Sequence, residues 1–247
     1  MTNLNVLANG DLVGVTAAIL AGGLGTRLCS VVADRPKVLA EVRGRPFLAY
    51  LLDQLTNIGI RQVVLCTGYL GEKVQNVFGD SYGNLSLVYS QESSPLGTAG
   101  ALRLALTLFK SDSVLVMNGD SFCESNLIAF WTWHSARNAG ATLLLTEVAD
   151  TKQYGQVHFD ANGLVLSFDE KDDKGGPCWI NAGIYLIKRH LLLTIPTDHA
   201  VSLEREMFPR WIGRGLYGYP SEGRFLDIGT PEAYAAAEQF FTEDKNL

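Results

Sequence analysis

Three glycines fall within four positions, Gly22, Gly23 and Gly25, and Thr26 and Arg27 follow at once. Glycine at that density is poor material for a packed element. It permits positive φ and lets backbone N–H groups come close to an anion. A Walker loop would need Lys-Ser/Thr after its last glycine, where this chain has Thr26-Arg27. A dinucleotide fingerprint would need glycine in place of Leu28, and an acid where the second strand ends at Thr67-Gly68. What remains is a glycine loop that carries its own cation, Arg27, with Lys37 of Pro36-Lys37 supplying a second. That combination points to phosphate binding, against the plainer alternative of a tight turn with surface cations.

Asn118-Gly119-Asp120 follows the apolar run Val114–Met117, and Asp227 follows Phe225-Leu226 just before Gly229-Thr230-Pro231. An acid after a buried strand often serves only as a helix cap. Two acids at strand ends can instead share one Mg²⁺, a hard ion that takes oxygen ligands and bridges phosphates. Near an apolar core each carboxylate would be costly without a cation or donor to meet it. Pro95-Leu96-Gly97-Thr98-Ala99-Gly100 is a glycine-bracketed loop entering a helix, suited to pressing backbone against a flat base. Phe168-Asp169-Glu170-Lys171 has alternating charge and, by itself, reads as a solvated strand edge.

These residues need a scaffold, and the first half of the chain predicts one. Val15–Ala21 is apolar at nearly every position, as a central strand covered on both faces should be. Pro46–Ile58 has helical spacing at Phe47, Tyr50, Leu51, Leu55 and Ile58. A strand at Arg61–Thr67, a helix at Glu72–Phe78, a strand at Leu85–Ser90, a helix over Ala101–Phe109 capped by Thr98, and a strand at Val114–Met117 follow. This alternation predicts a mostly parallel sheet with helices on both faces. The rhythm then changes. Gln156–Asp160 and Leu164–Phe168 read as a hairpin about Ala-Asn-Gly, Trp179–Ile187 as a strand and Leu203–Ile212 as a helix. Thr230-Pro231-Glu232 is a well-formed helix start, with Tyr234, Ala237 and Phe241 as its buried stripe. Residues 1–14 read as a weakly patterned arm and 15–247 as one domain.

Composition narrows the function. In 247 residues, 20 Lys+Arg stand against 26 Asp+Glu, for a net charge of −6, which argues against a nucleic-acid module. No apolar run approaches a membrane span, and the first basic residue is Arg27, unlike the charged start of a secretory signal. Cys29, Cys66, Cys123 and Cys178 are unpaired in spacing and read as free thiols of a cytoplasmic protein. His134, His158, His190 and His199 are scattered and read as structural or surface residues. The balance favours an enzyme or a small-ligand binder.

In order, GGLGTRL, PK, LGTAGAL, NGD, YG, FDEK, NAGIYL and DIGT resemble the signature of the sugar-1-phosphate nucleotidyltransferase family, from about Val15 to the final helix. Within it, WINAGIYL and SLEREMFP look most like the bacterial D-glycero-D-manno-heptose 1-phosphate guanylyltransferases. The resemblance implies a Rossmann-like α/β fold, its mixed, mostly parallel central sheet flanked by helices, with a small β-rich sugar-binding lobe. It implies that Ala21, Gly22, Gly23, Gly25 and Thr26 wrap the nucleotide, with Arg27 on the β/γ-phosphates and Lys37 near the reacting phosphate. Glu92, Gly97 and Thr98 match the stretch that reads base and ribose, and Asp120 and Asp227 the Mg²⁺-binding acids. Tyr154, Gly155, Glu170, Lys171, Asn181 and Gly183 match the sugar-phosphate side, Glu170 on hydroxyls and Lys171 on the phosphate. Arg27, Lys37, Asp120, Lys171 and Asp227 would carry catalysis.

Two positions depart from the family pattern: Asp172 and Val38 stand where prolines are frequent. The implied substrates are a nucleoside triphosphate, GTP first, and a sugar 1-phosphate of heptose or mannose type. The implied product is a nucleotide sugar for cell-surface polysaccharide such as lipopolysaccharide or capsule. Other bases and other sugars, among them glucose and N-acetylmuramate phosphates, stay open. So does a regulatory homologue that only binds sugar nucleotides. A metal-dependent glycosyltransferase commonly uses Asp-x-Asp, whereas Ser121-Phe122 follow Asp120 here.

Overall fold

The computed structural model describes residues 12–23, 34–149, 154–169 and 176–242. Its strands are β1 (Thr16–Ala21), the short pair β2 (Glu41–Val42) and β3 (Arg45–Pro46), β4 (Gln62–Thr67), β5 (Ser81–Tyr82), β6 (Leu85–Gln91), β7 (Ser113–Asn118) and β8 (Ser121–Cys123). In the second half come β9 (Ala141–Val148), β10 (Gln156–Phe159), β11 (Val165–Asp169), β12 (Cys178–Lys188), β13 (Leu216–Ser221) and β14 (Phe225–Asp227). Its helices are α1 (Phe47–Asn57), α2 (Gly71–Phe78), α3 (Gly97–Leu104), α4 (Leu127–Ala136), α5 (Arg189–Leu192), α6 (Phe208–Trp211) and α7 (Pro231–Phe240).

Strands β7, β1, β4 and β6 lie side by side, all parallel. Their side chains alternate between two apolar layers. Ala17, Ile19, Val63, Leu65, Leu115 and Met117 face α1, α4 and α7, while Ala18, Val64, Cys66, Val114 and Val116 face α3 and α6. Burial on both faces is why these strands read as unbroken apolar runs. Beyond β7 the sheet turns antiparallel at β12, whose other edge carries β9 and, beyond it, β13. The β10–β11 hairpin extends the sheet through Gln156 opposite Ile180. The expected mostly parallel sheet with a β-rich second half is therefore the observed one.

The expectation needs correction at three points. The helix expected over Ala101–Phe109 starts at Gly97, and its last turn, Ala105–Leu108, is 3₁₀. Thr98 lies inside it, and its hydroxyl is used elsewhere. The helix expected at Leu203–Ile212 is a π-type turn, Leu203–Met207, running into α6. Third, α4, β9 and β13 carry no sequence assignment. Helix α4, Leu-Ile-Ala-Phe-Trp-Thr-Trp-His-Ser-Ala, is apolar nearly all round, so it lacks the one-sided periodicity that marks a surface helix. Trp133 on α4 packs edge-on against Tyr217 and Tyr219 of β13, which accounts for its apolar outer side. Within residues 1–14, Leu12 is buried and its N–H donates to the Ile58 carbonyl at 3.0 Å.

Candidate active site

In a parallel sheet, ligands collect outside the carboxyl ends of the strands where the strand order reverses. Here that point lies between β1 and β7, because the chain passes from β1 outward to β4 and β6 and then returns to β7 on the other side. Register brings the strand ends level: Ala21 is opposite Thr67, and Thr67 opposite Gln91. The next residue on each strand is Gly22, Gly68 and Glu92. A Cβ on Gly22 would lie 2.9 Å from Glu92 Oε1, and one on Gly68 would lie 2.8 Å from the same atom. Glycine at both positions thus makes room for the Glu92 carboxylate. Its other oxygen accepts from Leu96 N–H at 3.0 Å. Burial raises the Glu92 carboxyl above the usual carboxylate range, partly offset by that hydrogen bond.

On the β7 side, Gly119 N–H donates to the Leu20 carbonyl at 2.9 Å, which docks the Asn118-Gly119-Asp120 turn on the end of β1. The approach requires glycine, since a Cβ at position 119 would lie 2.6 Å from Leu20 O and 2.7 Å from Val38 Cγ1. Lys37 reaches Asp120 from a short 3₁₀ turn, Lys37–Leu39, with Nζ 2.7 Å from Oδ2. The lysine side chain is only 11% exposed against 40% for the aspartate, so the cation is held in the wall while the carboxylate opens outward.

Asp227 ends β14, opposite Ser121 of β8, and the next residue, Ile228, donates its N–H to the Asp120 carbonyl at 2.9 Å. The Asp227 carboxylate accepts from Gly229 N–H at 2.7 Å. The two acids are therefore fixed on adjoining strand ends. Two carboxylates with further positions left for phosphate oxygens and water are a donor set that suits Mg²⁺. Among the described residues no group of three or more His, Cys, Asp or Glu is gathered to cage an ion.

A cavity of about 470 Å³ opens here, lined by Ala21, Gly22, Gly23, Lys37, Glu92, Gly97, Thr98, Asn118 and Asp120 among others. It gathers every nucleotide-side position named from the sequence that lies among the described residues. Gly25, Thr26, Arg27, Glu170 and Lys171 lie outside them. Asp227 stands next to the cavity rather than in its lining.

Among the described residues, the positions that the resemblance assigns to the sugar phosphate lie on β12 and just before the hairpin. Gly183 (φ +76°) sits at a register shift between Asn181 and Tyr185, and a Cβ there would collide with Ser121 Oγ. That bulge lets Asn181 Oδ1 accept from Gly183 N–H at 2.9 Å, while Asn181 Nδ2 donates to the Tyr185 hydroxyl at 2.8 Å. Tyr154 packs edge-on against Phe225, two residues before Asp227, and Gly155 lies against the Asp169 carbonyl.

None of the four histidines lines the cavity. His134 is buried between Thr142 and Ser113, and burial pulls it down to about 4. Sequence reasoning missed Asn118 as a lining residue, whose buried Oδ1 has no hydrogen-bond partner among the described residues. It also missed Glu204, which accepts the Thr98 hydroxyl at 2.8 Å from 106 residues away. Nothing in the sequence around Glu204 distinguishes it from Glu206.

Residues 16–244 match the model of the nucleotidyl transferase family. The chain belongs to that family. This nucleotidyl transferase is 34% identical over 226 residues to the D-glycero-alpha-D-manno-heptose 1-phosphate guanylyltransferase of Aneurinibacillus thermoaerophilus, covering 90% of the chain and 96% of the relative. It is 35% identical over 224 residues to the mannose-1-phosphate guanylyltransferase of Mycobacterium tuberculosis, covering 89% of the chain but only 62% of that longer protein. Among solved structures, HddC from Yersinia pseudotuberculosis superposes with a TM-score of 0.82 at 32% identity, covering 92% of the chain and 99% of HddC. HddC has also been crystallised with GMP-PN.

Proposed function

We propose that this nucleotidyl transferase moves a guanylyl group from GTP to a sugar 1-phosphate of heptose or mannose type, releasing pyrophosphate and a nucleotide sugar. The observation that carries the reading is the cavity at the β1/β7 reversal, where glycine backbone, a walled-in lysine and an aspartate converge. Relatives at 34% and 35% identity named for guanylyl transfer to heptose and mannose phosphates support the choice of base and sugar.

In the reaction, an oxygen of the sugar 1-phosphate attacks the α-phosphorus of the triphosphate. A new P–O bond forms, the bond between the α-phosphorus and the bridging oxygen breaks, and its electron pair leaves with pyrophosphate. The attacking phosphate is already anionic near neutral pH, so no side chain must remove a proton. Such transfers depend on positioning and on charge stabilisation. Lys37 contributes a fixed positive charge in a wall whose other charged groups, among the described residues, are the carboxylates of Glu92 and Asp120. The backbone at Gly23, where among the described residues nothing lies within 4 Å of a Cβ position, offers close approach, while Gly22 leaves room for the Glu92 carboxylate. Glu92, an acceptor with a partly buried carboxylate, suits the N–H edge of a guanine. Asp120 and Asp227 would hold Mg²⁺, which when bound supplies Lewis-acid charge at the phosphates. Arg27 and Lys171 take their phosphate roles from sequence resemblance.

The test is the purified chain with Mg²⁺ and a matrix of four nucleoside triphosphates against heptose, mannose and glucose 1-phosphates, scored by pyrophosphate release. GTP with a heptose or mannose 1-phosphate should give the highest kcat/KM. Tight nucleotide-sugar binding with no pyrophosphate from any pair would replace catalysis with sensing.

A further inference from the structure

Glu204 lies where three separate parts of the molecule meet. One carboxylate oxygen accepts the Thr98 hydroxyl at 2.8 Å and the Ser202 hydroxyl at 2.9 Å, and the other accepts the Tyr185 hydroxyl at 3.4 Å. Thr98 stands in the cavity wall at the start of α3, while Tyr185 is fully buried on β12. The Tyr185 oxygen in turn accepts from Asn181 Nδ2 at 2.8 Å and from Asn118 Nδ2 at 3.4 Å. A chain of hydrogen bonds thus runs from the loop at Gly97-Thr98, through Glu204 and Tyr185, to Asn181 on the sugar side and Asn118 beside Asp120.

The same segment is joined to α3 by backbone. Val201 O accepts from Ala99 N–H at 3.0 Å, and Val201 N–H donates to Leu96 O at 2.8 Å. Gly97, at φ +74°, has no room for a side chain, because a Cβ there would lie 2.5 Å from Val201 O. The Thr98 hydroxyl donates its one proton to Glu204 and accepts from Leu203 N–H at 2.8 Å. It therefore has no proton to offer a ligand, and its side chain works as a latch. Burial with Glu204 nearby raises Tyr185 well above the ordinary tyrosine value, which keeps it a neutral donor to the carboxylate.

We propose that Glu204 is a positioning residue that locks the nucleotide-side loop at Gly97-Thr98 to the sugar-side strand β12, so that both substrates are held in one register. The assignment of those two sides rests on the function proposed above, but the mechanical link does not, and the two can fail separately. Hydrogen–deuterium exchange on the full chain without substrates tests the link. Glu204→Gln places an N–H₂ group where a donor must be accepted. It should raise exchange by about tenfold in residues 96–104 and also in residues 178–188, a loss fitting one hydrogen bond to a charged group. Faster exchange confined to 201–207, or none, would overturn the proposal.

Steady-state kinetics on the substrate pair the wild type turns over then test its consequence. Glu204→Gln and Thr98→Val should each raise the KM for the triphosphate about tenfold, and Tyr185→Phe should raise the KM for the sugar phosphate. The Glu204→Gln/Thr98→Val double variant should be no worse than the poorer single variant within about twofold, since both break the shared Thr98–Glu204 contact. Additive effects, or a fall in kcat with both KM values unchanged, would mean that Glu204 only supports the fold. If the wild type turns over no pair, the functional reading fails while the exchange result still decides the link.

Discussion

Gly119→Ala tests whether the approach of the Asp120 turn to β1 sets the site. The added methyl would lie 2.6 Å from Leu20 O and 2.7 Å from Val38 Cγ1. Ordinary carbon contacts begin near ~3.5 Å, so roughly 0.8 Å must be found. Neither neighbour can give it freely. Leu20 belongs to β1, paired on both edges, and Val38 is buried at 3% exposure. The turn itself must move, carrying Asp120 and stretching the 2.9 Å bond from Gly119 N–H to Leu20 O.

Overpacking of this kind costs about 1–3 kcal/mol, and at about 2–4 °C per kcal/mol for a chain of this size Tm should fall by roughly 2–12 °C. Displacing a reacting group by about 1 Å can cost about 100-fold in rate, so kcat should fall far more than the folded fraction does. Gly23→Ala is the stability control: among the described residues a Cβ there meets nothing within 4 Å, and its Tm should stay within about 1 °C of wild type. Pyrophosphate release and calorimetry on the same preparations supply both numbers. A Gly119→Ala protein with wild-type kcat and Tm would refute the claim that this contact positions Asp120.

Asp120→Asn or Asp227→Asn should lower turnover by about 100-fold or more with nucleotide binding less affected, and wild-type rates in both would remove the metal assignment. Activity should vanish on chelation with EDTA and return with Mg²⁺; full activity in EDTA would speak against the ion. Burial holds the Glu92 carboxyl above its unfolded value, so ionisation costs the folded state stability as pH rises above the usual carboxylate range. Glu92→Gln should therefore be the more stable protein at pH 7 by thermal denaturation, with that advantage gone near pH 4 and its affinity for GTP reduced. His134 is pulled from 6.5 to about 4, so the unfolded chain takes up its proton first. Its contribution is complete above the unfolded pKa and is lost as pH falls through the folded one, a change of about 3 kcal/mol that a His134→Gln protein should lack in urea titrations at pH 7 and pH 4.

The first half of the fold was legible because local signals there agree with the environment. Strands β1, β4 and β7 are covered on both faces and consist of apolar runs, and α1 shows its buried face at helical spacing. The start of α7 was legible for the same reason: the Thr230 hydroxyl accepts from Ala233 N–H at 3.2 Å with proline at the first position. Helix α4 escaped because Trp133 meets aromatic rings where a surface helix meets water. Thr98 reads as a cap in the sequence because a hydroxyl beside a glycine is the ordinary start of a helix. Its actual partner is 106 residues away.

The sequence by itself determined the alternating strands and helices, the glycines at the ends of the strands and the presence of a lysine and two acids with the chemistry of a phosphate site. It could name those residues because their types and local spacing are written in order along the chain. Only the tertiary structure decided that Lys37 and Asp120, 83 residues apart, stand 2.7 Å from each other, and that Glu204 ties α3 to β12. Such contacts depend on how strands align across the sheet and where chain segments cross. No local pattern encodes that, because a partner distant in sequence leaves no spacing to read.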